Sequence, residues 1–265
     1  MMRKKIQNGD VLYPDLSYSI IGASMDVHNG LGPGWDEWDY HRALIEALCA
    51  RGHEIVSHDR KSLKHRGKVV DHFELDLLVD GLVILELKHI KSNFHPEHFT
   101  QLINYLKHWR KRLGILINFG LERFRFQRVP FSPASGGIKS IGNLDCTESS
   151  NEREVATAME SILDQHGVGY SANIYRRLLF AELKHRGVEA THPVISPHFG
   201  DLCLDERTVD AILIGGEVMV LVSASSDATS AADLWCLKSY MKQANVPCGV
   251  LVNIGDSEIQ LRGVR

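Results

Sequence analysis

Asp76-Leu-Leu-Val-Asp-Gly-Leu-Val-Ile-Leu-Glu-Leu-Lys88 is the stretch that decides how this chain folds. It has the pattern of two apolar strands around an Asp80-Gly81 turn. Asp76, Glu86 and Lys88 stand where a plain buried strand carries no charge. An unpaired buried charge is costly, or it shifts its pKa until it neutralises, so the three need a reason to be there. Alternate residues of a strand share a face, so Glu86 and Lys88 project together while Leu85 and Leu87 face the opposite layer. A two-residue Asp80-Gly81 turn would pair Asp76 with Leu85 and leave Glu86 on the wrong side. The two carboxylates share a face only if the loop has three residues or a β-bulge, and Gly81 allows either. With that register, Asp76 and Glu86 are hard oxygen ligands for Mg²⁺ or Mn²⁺, and the Leu87 carbonyl is a further ligand. Lys88 would position an attacking water or stabilise a pentavalent phosphorus centre.

Working outward, helical periodicity predicts a helix over 15–29, broken by Gly30-Leu-Gly-Pro-Gly34. A second helix is expected over 36–50, with Glu37, Tyr40, His41, Leu44 and Leu48 on one stripe. Glu37 lies among the apolar positions, placed to hold a second ion or orient a water. Strands are expected at 53–58, 69–79, 82–90, 114–120 and 123–128, and a helix at 96–112. Gln101 and Tyr105 are four apart on that helix and lean over one spot. Arg60-Lys-Ser-Leu-Lys-His-Arg-Gly-Lys68 is a basic segment: a solvated hairpin tip, or a phosphate contact through Lys64, Arg66 and Lys68. His98 is a phosphate contact or a helix-packing residue. The basic end that starts at Lys107 complements the helix dipole or touches nucleic acid. His95 and His98 have a zinc-like spacing, but no third soft ligand accompanies them.

The chain has 265 residues, enough for one large domain or two smaller ones. No run of about 18 apolar residues occurs, so no membrane span is expected. Its five cysteines are scattered, with no CxxC pair, which suits reduced thiols in a cytoplasmic protein and indicates neither a disulfide framework nor a zinc ribbon. Residues 1–134 carry 19 Lys and Arg against 16 Asp and Glu, while the rest carry 11 against 17. That asymmetry suits a polyanion partner for the first part.

The pattern then repeats, shifted by 135 positions. Gly34 meets Gly169, Tyr40 meets Tyr175 and Tyr105 meets Tyr240. Leu116-Ile-Asn-Phe-Gly120 becomes Leu251-Val-Asn-Ile-Gly255. A constant offset at several landmarks marks a tandem duplication. The expected division is a first domain over 1–130, a linker over 131–151 and a degenerate copy over 152–265. The polar centre does not repeat: Glu37 meets Ala172, Glu86 meets Leu221, Lys88 meets Ser223 and Gln101 meets Cys236. Asp76 keeps a partner, Asp210, with one position of slack. A scaffold that tolerates those losses does not need the polar residues for folding.

Gly34-Trp-Asp-Glu-Trp-Asp-Tyr40 resembles the motif of the GxxExxY proteins, a group within the PD-(D/E)xK nuclease superfamily. The resemblance runs over about 15–130. It includes Leu31-Gly-Pro-Gly34, Asp76-Leu-Leu-Val79, Glu86-Leu-Lys88, Pro96-x-His98-x-x-Gln101-Leu-x-x-Tyr105 and Leu116-Ile-Asn-Phe-Gly120. Gln101-x-x-x-Tyr105 also looks like the QxxxY motif of RecB-type exonucleases. The resemblance implies a restriction-endonuclease-like fold, and with the repeat it gives an expected α/β protein of two tandem domains, each a central mixed β-sheet flanked by helices, the second degenerate. It implies Asp76, Glu86 and Lys88 as the catalytic core, Glu37 as the helix-borne acidic residue, and Gln101 and Tyr105 as accessory. The expected activity is Mg²⁺- or Mn²⁺-dependent hydrolysis of nucleic acid, DNA rather than RNA, in an internal pseudo-dimer open to further oligomerisation. An inactive module binding nucleic acid or protein is the alternative.

Overall fold

The computed structural model describes residues 12–132, 141–142, 150–224, 230–255 and 259–265. Two units are separable: Met1–Lys61 with Phe73–Ser132, and Ser62–His72 with Pro133–Arg265.

The first copy supplies, in order, α1 (Pro14–Leu31), α2 (Glu37–Cys49), β1 (Ile55–Ser57), β2 (Arg60–His65), β3 (Lys68–Glu74), β4 (Leu77–Val79), β5 (Val83–Lys88), α3 (Pro96–Trp109), β6 (Leu113–Asn118) and β7 (Arg125–Pro130). Its five-stranded sheet has the order β1-β4-β5-β6-β7. β5 and β6 are parallel and the other neighbours antiparallel. Ile20, Ala23 and Val27 of α1 and Tyr40, Leu44 and Leu48 of α2 recur every three or four residues. They bury against Leu77, Val79, Val83, Leu85, Leu87, Ile115 and Ile117 on one face. α3 covers the other face through Leu102, Tyr105, Leu106 and Trp109. Gly114 is small because Leu102 sits there: a Cβ at 114 would lie 2.6 Å from Leu102 Cδ1. With helices on both faces, β5 and β6 bury both sides and read as near-continuous apolar runs.

Three elements of the first copy differ from expectation, the first being β2, a strand over Arg60–His65 where a basic turn was expected. The single strand predicted over 69–79 is two, because Leu75 and Asp76 leave the hairpin ladder. There the Leu75 amide donates to the Asp59 carbonyl, and the His58 amide to the Asp76 carbonyl. α3 stops at Trp109 rather than 112, since Arg110 adopts left-handed backbone (φ 55°, ψ 44°).

The second copy supplies β8 (Ile141–Gly142), α4 (Ser150–His166), α5 (Ala172–His185), β9 (Ala190–Thr191), β10 (Val194–Ile195), β11 (His198–Phe199), β12 (Leu202–Cys203), β13 (Arg207–Thr208), β14 (Ala211–Ile214), β15 (Val218–Ser223), α6 (Ala231–Ala244), β16 (Cys248–Ile254) and β17 (Ile259–Val264). Its main sheet runs β8-β17-β16-β15-β14-β9, the order of the first sheet with β8 added. The repeat extends to single hydrogen bonds. Tyr40 Oη donates to the Gly32 carbonyl and accepts from the Trp35 amide; Tyr175 does the same with Gly167 and Tyr170. Arg110 and Asn245 end α3 and α6 in the same left-handed conformation. The expected linker falls mostly at 133–140 and 143–149, outside the described residues.

The 62–72 hairpin tip comes from the first copy's sequence but belongs to the second unit, unlike the expected division at 130. Its side chains explain this. His65 Nε2 lies 2.7 Å from Glu182 Oε2, and Arg66 donates to both Glu182 oxygens and to Ser161 Oγ. Arg66 and Gly67 form the turn with positive φ at both positions, the mirror-image turn that matches strand twist.

Candidate active site

The Asp76–Lys88 hairpin has a three-residue loop. Val79 pairs with Val83, Leu78 with Ile84 and Leu77 with Leu85. Asp80 (φ 50°) and Gly81 (φ 64°) make the turn, closed by the Leu82 amide donating to the Val79 carbonyl. Leu82 is the additional residue. The Asp80 carboxylate ties the loop to the rim of β1, accepting from the Glu54 amide and bonding His53 Nδ1. Continued by one step, this register sets Asp76 opposite Glu86, on the face covered by α3. The expected two-carboxylate geometry therefore forms. Asp76 does not hang free: its Oδ2 accepts from the Leu87 amide at 2.7 Å. Leu87 thus contributes its amide to the site's frame, while its side chain packs in the α1/α2 core.

Glu86 is buried, 1% exposed. Oε1 accepts from Lys88 Nζ at 2.5 Å, and Oε2 is buried without a hydrogen-bond partner. Burial first, and then the Asp76 charge, pushes the Glu86 carboxyl up to about 8. Asp76 is likewise raised by burial, against the opposing pull of the Leu87 amide and Lys88. Burial alone would lower Lys88; the carboxylates of Glu86, Asp76 and Glu37 outweigh it and raise the ammonium. One lysine is left to balance two desolvated carboxylates, so the site lacks positive charge.

Glu37 begins α2, in the opposite helical layer, and is exposed. It faces the site nonetheless: partial burial and Asp76 raise its pKa, and Lys88, His89 and His41 pull it back. Gln101 Nε2 donates to Tyr105 Oη at 2.9 Å, so the predicted i, i+4 pair exists. Burial pushes the Tyr105 phenol up to about 12, aided by the charges of Glu86 and Asp76. Asp76, Glu86, Lys88, Glu37, Gln101 and Tyr105 are therefore gathered at the C-terminal end of β5.

The other predicted residues are placed differently. His98 Nδ1 accepts from the His95 amide, capping α3, although the charge of Lys88 reaches it. Lys107 is half-buried, and burial lowers its ammonium to about 8, which weakens it as a phosphate contact. Lys64 and Lys68 are exposed on the second-unit hairpin. Arg66 is occupied by Glu182, so its expected phosphate role gives way to an ion pair.

Two residues were not foreseen. Asn118 accepts from the Ile90 and Gly120 amides and donates to the Ile90 and Ser92 carbonyls, fixing the chain just after Lys88. Its presence in both copies of the Leu-x-Asn-x-Gly segment was the available signal. His41, one turn beyond Glu37, approaches the Asp76 carbonyl through Nε2 at 3.4 Å.

The second unit is the internal control. Ala211 pairs with Leu221 in its hairpin, across a Gly215-Gly216-Glu217 loop of the same form. Register thus makes Ala211, not Asp210, the counterpart of Asp76. Asp210 is exposed and pairs with Arg176, which corrects the expectation that one acidic residue survives. Ser223, at the Lys88 position, donates to Asn253 Oδ1.

Among the described residues, no three His, Cys, Asp or Glu side chains gather closely enough to hold a metal ion by themselves. Mg²⁺ does not demand that, since one or two carboxylates with water and phosphate oxygens suffice. Asp76 Oδ1 and the unpartnered Glu86 Oε2 are hard oxygen atoms in a site short of positive charge, and they fit such an ion. No described helix is long and apolar enough to cross a membrane.

Comparison with curated proteins gives no match. A profile described as the PD-(D/E)XK nuclease superfamily matches twice, over residues 14–129 and 149–264. The two matches cover most of the chain and coincide with the two copies of the sheet, and superfamily membership indicates a nuclease-like function with a nucleic-acid substrate. By both copies of its fold, the chain belongs to the PD-(D/E)XK nuclease superfamily.

Proposed function

We propose that the first unit is a divalent-metal-dependent nuclease that hydrolyses phosphodiester bonds in DNA, and that the second unit is a non-catalytic copy. The supporting observation is the three-residue loop that sets Asp76 across from Glu86, beside Lys88, in the copy where all three residues persist. Asp76 and Glu86 would hold Mg²⁺ or Mn²⁺, which supplies charge neutralisation at the scissile phosphate when bound. The protein's own groups do the rest. The Lys88 ammonium, anchored on Glu86, donates to a phosphate oxygen or to the attacking water. Water gives a proton to the Glu37 carboxylate as its oxygen adds to phosphorus, a P–O ester bond breaks, and the leaving oxygen takes up a proton from solvent. Glu37 orients that water from the mouth of the site, and its raised pKa suits proton transfer. Gln101 and Tyr105, on α3, form a polar wall of the site.

The test incubates the protein with single- and double-stranded DNA and RNA, with Mg²⁺ or Mn²⁺, beside Lys88→Ala. Metal-dependent cleavage by the wild type, reduced about 100-fold or more in the variant, is expected. No cleavage by either, or equal cleavage by both, overturns the reading and leaves a binding module on the same fold.

A further inference from the structure

Trp38 follows Glu37 directly and is 57% exposed, although an indole is among the most favourable groups to bury. It is also held in place. Its ring stacks on His41 (centroids 5.3 Å apart, 12° between planes) and on His58 (5.8 Å, 25°). The two imidazoles lie 4.6 Å from each other. Both are anchored on one atom: the His58 amide donates to the Asp76 carbonyl at 3.1 Å, and His41 Nε2 approaches it at 3.4 Å. His58 reaches this position through a left-handed backbone (φ 51°), and its Nδ1 is 3.0 Å from Glu74 Oε1. Ser57 Oγ contacts His41 as well. A half-exposed indole is thus fixed, through two rings, to the backbone of the residue whose carboxylate forms the site.

The scaffold does not require this stack. At the same offset, Asn173, Arg176 and Pro193 replace Trp38, His41 and His58. The rings vanish in the same copy that lost Glu86 and Lys88, while the structural Tyr40 persists as Tyr175. The neighbouring charges narrow the ligand. Asp36, Glu37 and Asp39 flank Trp38 in sequence, so this turn offers no cationic phosphate contact and its contribution to binding is the π-face of the indole.

We propose that Trp38 is a stacking platform for an unpaired nucleobase next to the scissile phosphate, so that the substrate is single-stranded DNA or a frayed end. A base within a duplex has both faces covered by its neighbours, whereas an unpaired one is free to stack on an aromatic side chain. Trp38 is a specificity-determining residue here, acting on binding. This inference rests on the nuclease reading for its geometry, but its test can be read without cleavage.

The experiment measures binding of a short fluorescein-labelled single-stranded oligodeoxynucleotide, and of its blunt duplex, by anisotropy in Ca²⁺. Cleavage kinetics in Mg²⁺ follow on wild type, Trp38→Ala and Trp38→Phe. Single strands should bind wild type more tightly than duplex. Trp38→Ala should weaken single-strand binding and raise KM about 10-fold with kcat little changed, and Trp38→Phe should recover most of the loss. Indole fluorescence should be quenched by the single strand in wild type and much less in Trp38→Phe, where Trp35, Trp109 and Trp235 remain. Wild-type affinity, KM and quenching retained in both variants would overturn the stacking role while leaving the nuclease reading intact. Trp38-dependent binding without any cleavage would support stacking and overturn the nuclease reading. Absence of both binding and cleavage would overturn both.

Discussion

The Leu87 amide donates to Asp76 Oδ2 across 2.7 Å, so one carboxylate oxygen frames the site and the other is left for a ligand. Frame and charge can be separated by substitution. Asp76→Asn keeps an oxygen for the Leu87 amide and removes the charge. Asp76→Ala removes both and leaves a buried amide unsatisfied, which costs about 1–3 kcal/mol. Both variants should lose activity by about 100-fold or more. Only the alanine variant should also lose stability to that extent in urea unfolding. Equal loss of stability in the two would mean that the bond does not hold the site.

The Glu86 carboxyl gives the unliganded protein a defined pH dependence. Its folded pKa is about 8, against an ordinary 4.5. Between those values the folded state binds more protons than the unfolded state, so stability falls as pH rises. The contribution is fully present below about pH 4.5 and lost as pH passes through about 8. Relative to Glu86→Gln, the metal-free wild type should therefore weaken by up to about 5 kcal/mol across this window. Thermal unfolding in EDTA at stepped pH measures it. Mg²⁺ added at pH 8 should restore the wild type and leave Glu86→Gln unchanged. A wild type that gains stability relative to the variant with rising pH would contradict the reading that burial raises the Glu86 carboxyl.

Much of this was legible in the sequence, for reasons that can be located. Buried helix stripes and apolar strands write their period directly, so α1, α2, β5 and β6 could be read within a few residues. The hairpin gave a conditional reading: the chemistry demanded that Asp76 and Glu86 share a face, which a three-residue loop or a β-bulge satisfies, and the structure has the loop. The break at Leu75–Asp76 was not legible, because it depends on backbone bonds to Asp59 and His58 in the connection between β1 and β2. Arg66 looked like a phosphate contact, since nothing local shows that Glu182, over a hundred positions away, is its partner. Asp210 was misplaced by one residue, which in a strand is the difference between the two faces.

Gly120 tests how closely the site depends on the segment after Lys88. A Cβ there would lie 2.6 Å from the Ile90 nitrogen and 2.7 Å from its oxygen, and backbone cannot rotate away as a side chain can. Those same Ile90 groups bond Asn118, the parallel neighbour of Lys88. Gly120→Ala should cost about 1–3 kcal/mol and, by shifting the Lys88 end of β5, reduce kcat on the order of 100-fold. Gly114→Ala meets the Leu102 side chain, within 2.7 Å of its Cγ and both Cδ atoms, rather than backbone beside Lys88, and should cost stability but disturb cleavage far less. Comparable loss of kcat in the two would show that general destabilisation, rather than the position of Lys88, limits the reaction.

Tyr40 offers the sharpest separation of scaffold from chemistry, because the chain holds the same residue twice. Tyr40 Oη donates to Gly32 and Tyr175 Oη to Gly167, each at 2.6 Å, and both side chains are fully buried. Glu37 accompanies Tyr40, while Ala172 accompanies Tyr175. A residue kept where the acid is lost serves the fold: it pins the turn that launches α2 or α5. Tyr40→Phe and Tyr175→Phe should therefore destabilise by similar amounts, about 1–3 kcal/mol each, since each leaves a carbonyl and an amide without their partner. Below the unfolding temperature, Tyr175→Phe should cleave as wild type does, and Tyr40→Phe within about threefold of it. Cleavage abolished in Tyr40→Phe at unchanged stability would instead place the phenol in the reaction, and the motif's tyrosine would have to be counted with Glu37 rather than with Gly32.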